Sequence, residues 1–468
     1  MKAVRKVLSL LIIFSLLIPV AGCNKTEKGY AGDLFDASRV HSIEVTLSDA
    51  DMKDLLDNPL EKTKYEARIV IDGETVEKVS FATKGNSSLY LVARDGDSHR
   101  YSFKVNFGKY KKGQTFHGLD KLNLQNLFMD NTYMKDYMCY WLFNSMGVEA
   151  PLASYVMVTV NGEYYGLYLA VEEIDKSFLE RTLDGEGALY KPENQLLELD
   201  EDSAEDIGKG GSVIIEESVG ADFAYTDDDK KHYTDIFKNN VCGDSEEVQD
   251  QILEAIKALS KNRDLEYHFD TEKLIRYFAV NNFLCNYDGY TGPMLHNYYL
   301  HVKDGKLSLH PWDYNLSLGA FPMDGVMGHD NDAELVINQG MDSPLVITEN
   351  MKRPMWTWIT EYEDYLYMYH DVMDELLKTY ILSGETEKEM ERVYELIRSY
   401  VEKDPTAFCS PAEFDRGFEA MKMFFDLRGA SIGKQLDGDL ASVTEEQEPA
   451  DRIGVSTFMI GDMTSKVK

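Results

Sequence analysis

The chain has 468 residues, too many for one small core and enough for two or three packed units. Its apolar share of 44%, with 12% aromatic residues, excludes a disordered chain. A formal net charge of −34 excludes a nucleic-acid binder, because that field repels phosphate; basic partners and divalent cations are its natural counterparts, although solubility alone accounts for most of the charges.

At the N-terminus Lys2, Arg5 and Lys6 precede an apolar run from Val7 to Val20, which has the charge order of an export signal and is short for a transmembrane helix. The run ends in Val20-Ala21-Gly22-Cys23, which resembles a bacterial lipobox; an ordinary secretory signal is the competing reading. Residues 1–22 are therefore read as a lipoprotein signal peptide, Cys23 as the lipidated residue, and 23–39 as a tether. That places the protein in the cell envelope, anchored to the outer face of the cytoplasmic membrane. Without the three leader cations, 45 basic residues face 82 acidic ones, near −37. Cys139, Cys242, Cys285 and Cys409 show no C-x-x-C spacing and read as core thiols.

Residues 40–192 read as a β-rich lobe. His41 to Leu47 alternates as a strand, and Ser48 caps a helix over Met52 to Asp57. Tyr65 to Ile71 and Thr75 to Thr83 form a hairpin about Asp72-Gly73, Tyr101 to Phe107 is a third strand, and a helix follows from Thr132 to Met146. Asn161-Gly162 joins two further strands, Tyr155 to Val160 and Glu163 to Val171. The expectation is a twisted antiparallel sheet with a helix packed on it. Residues 193–231 turn acidic and read as an insertion or linker; their Gly208-Lys209-Gly210-Gly211-Ser212 has the wrong order for a phosphate-binding loop.

Residues 232–440 read as mostly helical. Asp270 caps a helix over Thr271 to Cys285, and later helices cover Trp356 to Thr379, Glu387 to Val401 and Pro411 to Leu436, before a polar tail at 441–468. Within this region Tyr298 to Val302 and Lys306 to His310 flank Asp304-Gly305, a type I′ turn pair. If that turn sets the register, Asn297 faces Trp312 and His296 faces Asp313. Asn297 and Asp313 then meet at the open end of the hairpin, and Asp288 enters the same place from the loop Gly289 to Pro293. Helix, Asp, Asn, strand, turn, strand, Asp is the order protein kinases use for an acceptor-orienting carboxylate and two Mg²⁺ ligands. The first spacing is nine residues rather than five, and WDYN stands where DFG would, which excludes a standard kinase.

Together KGNSS at 84–88, YSFKVNF at 101–107, LDKLNLQN at 119–126, VNGEYYGLYLAVEE at 160–173, ALYK at 188–191 and PWDYN at 311–315 resemble the spore-coat protein H (CotH) family of atypical kinases, over about residues 40–436. The resemblance implies an α+β fold of divergent bilobal protein-kinase type and transfer of the ATP γ-phosphate to protein Ser or Thr with Mg²⁺ or Mn²⁺. It makes Asp288 the catalytic carboxylate and Asp313 and Asn297 the metal ligands. On the first lobe, Lys104 is chosen as the phosphate-contacting lysine, against a solvated strand lysine. Lys84, Gly85, Asn86 and Ser87 are candidates to cover the phosphates. Glu172 either lies near the adenine side of the cleft or starts the next helix.

His296, His301 and His310 lack a metal-ligand spacing and read as satisfied or exposed side chains, and no G-x-S-x-G elbow is present. The acidic surface favours acceptor segments rich in Lys and Arg. An inactive kinase-fold binding or assembly lipoprotein is the alternative, because ATP is scarce outside the membrane; nucleotidyl transfer from the same metal-bound nucleotide is a third.

Overall fold

A computed structural model describes residues 29–95, 98–193, 218–321, 332–347, 350–455 and 460–464. The signal segment, Cys23 and the Gly208–Ser212 stretch lie outside these residues.

Seven strands make the first half: β1 (His41–Thr46), β2 (Tyr65–Ile71), β3 (Glu74–Lys84), β4 (Ser102–Asn106), β5 (Lys121–Gln125), β6 (Ala153–Val160) and β7 (Glu163–Glu172). They close into a barrel in the order β1-β2-β3-β4-β5-β7-β6. This corrects the expected open antiparallel sheet, since β1 pairs with β6 in parallel, His41 beside Val156. Closure removes both sheet edges, and alternation within a strand does not report on a partner more than a hundred residues away. Alternate residues fill the barrel with Ile43, Phe81, Phe103, Val105, Leu122, Leu124 and Tyr168, all buried.

Three helices attach to the barrel. In α1 (Asp49–Asp57) the Ser48 side chain caps the Asp51 N–H as expected; α2 (Ser87–Asp95) follows β3 directly, and α3 (Lys135–Ser145) lies between β5 and β6. Eight of the eleven residues of α3 are buried, since it is enclosed between the barrel and the helical half.

The second half contains α4 (Lys176–Thr182), α5 (Glu246–Lys261), α6 (Thr271–Phe283), α7 (Pro354–Glu361), α8 (Glu363–Leu376), α9 (Glu385–Val401) and α10 (Pro411–Asp437), with a sheet between them. Asp270 caps α6 through the Lys273 N–H, and Ser410 with Glu413 forms a capping box on α10. The helix expected over 356–379 is divided at Tyr362, whose backbone is extended. The sheet runs β11-β10-β8-β9, with β8 (Ala188–Tyr190), β9 (Asn240–Cys242), β10 (Tyr298–Lys303) and β11 (Lys306–Pro311). In the β10–β11 hairpin Tyr298 lies opposite Pro311 and Lys303 opposite Lys306, the register inferred from the turn. Asp304 and Gly305 both have positive φ, 52° and 75°, as a type I′ turn requires.

Two segments depart from expectation. Of the presumed linker, residues 218–231 pack inward: Ala221 and Phe223 are buried, and the Tyr298 and Tyr290 hydroxyls donate to the Ala221 and Asp222 carbonyls. The tail also folds back, burying Gln447 and Met463, with the Asn131 N–H donating to the Met463 carbonyl. Both stretches carry only isolated apolar anchors between charged residues, too few to show a period.

Candidate active site

The loop after α6 is fixed by backbone contacts that neighbouring residues can satisfy only in one arrangement. Buried Arg428 donates to the carbonyls of Asn282 and Phe283 at the end of α6. Arg353 donates to the Tyr290 carbonyl at 2.6 Å and to that of Gly292. A Cβ on Gly292 would lie 1.6 Å from the Tyr287 carbonyl, so only glycine fits this closure. The loop thereby presents Asp288, which is 6% exposed.

Both carboxylate oxygens of Asp288 are engaged: His296 Nε2 lies 2.6 Å from Oδ1, and Asn297 Nδ2 donates to Oδ2 at 2.9 Å. Burial raises the Asp288 carboxyl above its usual range, the His296 charge opposes this, and Asp313 adds to it. Burial also disfavours the His296 imidazolium, but Asp288 outweighs it and holds the ring above its ordinary value. His296 was read from sequence as a satisfied or exposed histidine opposite Asp313; the structure makes it the direct partner of Asp288. The hairpin register determines which backbones are paired, and the return path of the Asp288 loop lies outside it.

Asn297 and Asp313 lie at the open end of the hairpin, the Trp312 N–H donating to the Asn297 carbonyl at 3.2 Å. Each adopts a left-handed backbone, φ 58° and 56°. Asn and Asp are the non-glycine residues that enter this region most readily. Among the described residues none donates a hydrogen bond to the Asp313 carboxylate, and donation from Asn297 Nδ2 to Asp288 leaves Asn297 Oδ1 available. A carboxylate and an amide oxygen are hard donors of the kind Mg²⁺ or Mn²⁺ takes, with phosphates and water completing the shell. No group of three His, Cys, Asp or Glu residues that could hold a metal ion is present among the described residues.

The opposite wall is the outer face of the barrel. Lys104 pairs across strands with Ala82 and Asn123, and Asn123 with Val171. Alternation therefore places Lys84, Lys104, Asn123 and Glu173 on one face. Lys104 Nζ is 2.5 Å from Glu173 Oε1, and Asn123 Nδ2 donates to Oε2 at 2.7 Å. Burial opposes ionisation of Glu173, but Lys104, Asn123 and Lys121 together hold its carboxyl below the usual range.

Lys84, at the end of β3, has its ammonium 5.6 Å from the Trp312 ring centroid. Burial pulls it down to about 8, with the Asp313 and Glu173 carboxylates working the other way. No described residue accepts a hydrogen bond from it. Gly85, at φ 106°, leads into Asn86 and Ser87, where α2 begins. The Asn86 side-chain carbonyl oxygen accepts from Lys62 at 2.7 Å.

Glu172 lies elsewhere. It is fully buried, accepts from Tyr30 at 2.5 Å, from the Leu152 N–H at 3.0 Å and from Arg181 at 2.6 and 2.9 Å. The structure thus puts Glu172 in an interior ion pair and the next residue, Glu173, in the cleft. Counting alternate residues from Lys104 through its strand neighbours would have identified Glu173, had the strand order been known. His301 and His310 contact the Glu186 and Glu149 carbonyls and stay apart from Asp288.

A family model described as CotH kinase protein matches residues 81–432. The inner spore coat protein H of Bacillus subtilis (strain 168) is 24% identical over 325 residues, covering 68% of this chain and 78% of that protein.

Proposed function

We propose that this chain, which belongs to the CotH kinase protein family, is an atypical protein Ser/Thr kinase of divergent bilobal fold. The observation that carries the reading is Lys84: a half-buried ammonium, without a described hydrogen-bond acceptor, set over Trp312 beside the Asp313 carboxylate in a protein of net charge −34. Desolvating a cation is costly unless an anion arrives to pair with it, and a phosphate is such an anion.

Lys84 takes the charge of the nucleotide phosphates, and Gly85, Asn86 and Ser87 form the cover over them. Lys104 is held in place by Glu173, itself fixed by Asn123, as kinase lysines are held by a glutamate. Asp313 and Asn297 hold Mg²⁺ or Mn²⁺, which when bound neutralises the ATP phosphate oxygens. Asp288, fixed by His296 and Asn297, orients the acceptor hydroxyl; as the new O–P bond forms and the bond to ADP breaks, the hydroxyl proton passes to Asp288. Ser or Thr in basic segments fits the acidic surface.

The spore-coat relative and the N-terminal lipobox together support an envelope location, with Cys23 as lipid anchor. No helix among the described residues is long and apolar enough to cross a membrane. The test is transfer of labelled γ-phosphate to a basic Ser-rich peptide by the purified protein with Mg²⁺ or Mn²⁺. Transfer that disappears in Asp313→Ala is expected; no transfer with either ion, or transfer unchanged by that substitution, overturns the reading. ATP binding without transfer would favour a binding module instead.

A further inference from the structure

The loop that carries Asp313 is held from the barrel side by α3. The Asp313 N–H donates to the Tyr140 hydroxyl at 3.0 Å, and the Tyr314 N–H donates to Asp136 Oδ1 at 2.6 Å. Asp136 and Tyr140 are four residues apart and share one face of the helix. Farther along the same loop, Asn315 Nδ2 donates to the Phe128 carbonyl at 3.3 Å, and Ser317 Oγ is 3.3 Å from Cys139 Sγ. Four contacts on five loop residues thus come from Phe128 and α3.

The attachment continues to the other carboxylate. Tyr314 packs edge-on against Phe143 of α3 at 5.2 Å, and its hydroxyl donates to Asn281 Oδ1 at 2.9 Å. Asn281 also accepts from Asn286 Nδ2 at 3.3 Å and donates to Thr291 Oγ1 at 3.0 Å, while Asn286 Oδ1 accepts the Asp288 N–H at 3.2 Å. A buried polar chain therefore runs from α3 through Tyr314 and Asn281 to the Asp288 loop.

Two features separate this from ordinary packing. Asp313 has φ 56°, a left-handed backbone that Asp adopts more readily than most non-glycine residues, and its N–H, beyond the end of the strand, is taken by the Tyr140 hydroxyl. Asp136 is only 4% exposed, and its Oδ1 takes the Tyr314 N–H. An apolar side chain would have served packing without that hydrogen bond.

We propose that Asp136 and Tyr140 are positioning residues for the cation site: acting through the Tyr314 and Asp313 backbone amides, they set the pose of the Asp313 carboxylate and thereby the affinity for Mg²⁺ or Mn²⁺. The inference rests on the reading of Asp313 as a metal ligand.

The experiment is Mn²⁺ titration of the full chain in the presence of ADP, with free ion followed by electron paramagnetic resonance, for wild type, Tyr140→Phe, Asp136→Ala, Asp136→Asn and Asp313→Ala. Loss of an outer partner of a metal ligand typically weakens affinity about 10–100-fold. Tyr140→Phe and Asp136→Ala are expected in that range, with circular dichroism of the ion-free proteins unchanged. Asp136→Asn, whose amide oxygen can accept the same N–H, is expected within a few-fold of wild type. Wild-type affinity in both Tyr140→Phe and Asp136→Ala overturns the inference and leaves the metal reading standing, as does equal loss in Asp136→Asn and Asp136→Ala with a disturbed fold. A wild-type protein that takes up no Mn²⁺ overturns both.

Discussion

The two walls of the cleft are built in different ways. On the helical side Asp288, Asn297 and Asp313 come from one stretch of chain, brought together by a loop and a hairpin whose turn, Asp304-Gly305, sets the register. On the barrel side Lys84, Lys104, Asn123 and Glu173 come from β3, β4, β5 and the end of β7, and meet only because those strands are neighbours in the closed sheet. The first wall is a local construction with left-handed backbone at Asn297 and Asp313. The second is unstrained strand geometry whose order is a property of the whole barrel. The helical wall should therefore be sensitive to single substitutions in function, and the barrel wall should separate function from stability according to which face of a strand a residue occupies.

The largest effect tests the helical wall. Asp288→Asn keeps the size and the contact to Asn297 but removes the proton acceptor; phosphotransfer is expected to fall about 10²–10⁴-fold, with ADP and Mn²⁺ binding nearly intact. A loss below tenfold would mean that the local wall orients nothing.

Adjacent glutamates on the barrel wall sharpen the comparison. Glu172→Ala strands buried Arg181 without its carboxylate and should cost about 3–5 kcal/mol in urea unfolding, whereas Glu173→Gln should weaken ATP binding and change unfolding little. Equal stability losses at both positions would break the distinction between the two faces.

A pH measurement reaches the sheet beneath the helical wall. His310 is buried and its imidazole is pushed down to about 3, first by burial and then by the neighbouring His301. Its folded value lies below the unfolded value of about 6.5, so the unfolded chain takes up a proton that the native state refuses. Stability from this residue is complete above about pH 6.5 and declines as pH falls toward 3, by roughly 2 kcal/mol at pH 5. Wild type and His310→Gln should therefore converge in unfolding free energy between pH 7.5 and pH 5; parallel curves would contradict a neutral buried ring.

The smallest effect concerns the turn. Gly305→Ala forces a Cβ into φ 75° and should cost about 1 kcal/mol, with a modest loss of Mn²⁺ affinity as the open end of the hairpin loosens. Stability loss without any change in ion binding would show that the hairpin register is held by β8 rather than by its own turn.

Legibility in the sequence follows the same division. The hairpin register, the Ser48 and Asp270 caps and the proximity of Asn297 to Trp312 could be read because each depends on residues a few positions apart. The role of His296 could not, since its partner Asp288 is brought by a loop held by Arg353 and Arg428, from 57 or more positions further along the chain. Glu172 and Glu173 are indistinguishable in composition, and only their opposite directions from one strand end separate an interior ion pair from the cleft.

By itself the sequence determined the mixed α and β character, the Ser48 and Asp270 caps, the three hairpin turns at Asp72-Gly73, Asn161-Gly162 and Asp304-Gly305, and the order Asp, Asn, Asp, because local backbone preference and alternation act over short separations. Only the tertiary structure decided the barrel closure through the parallel β1–β6 pair, the choice of Glu173 over Glu172, the seating of Lys84 over Trp312, and the grip of Asp136 and Tyr140 on the Asp313 loop. Each of these joins segments far apart in the chain, and which distant surfaces meet depends on how the whole core packs rather than on any local preference.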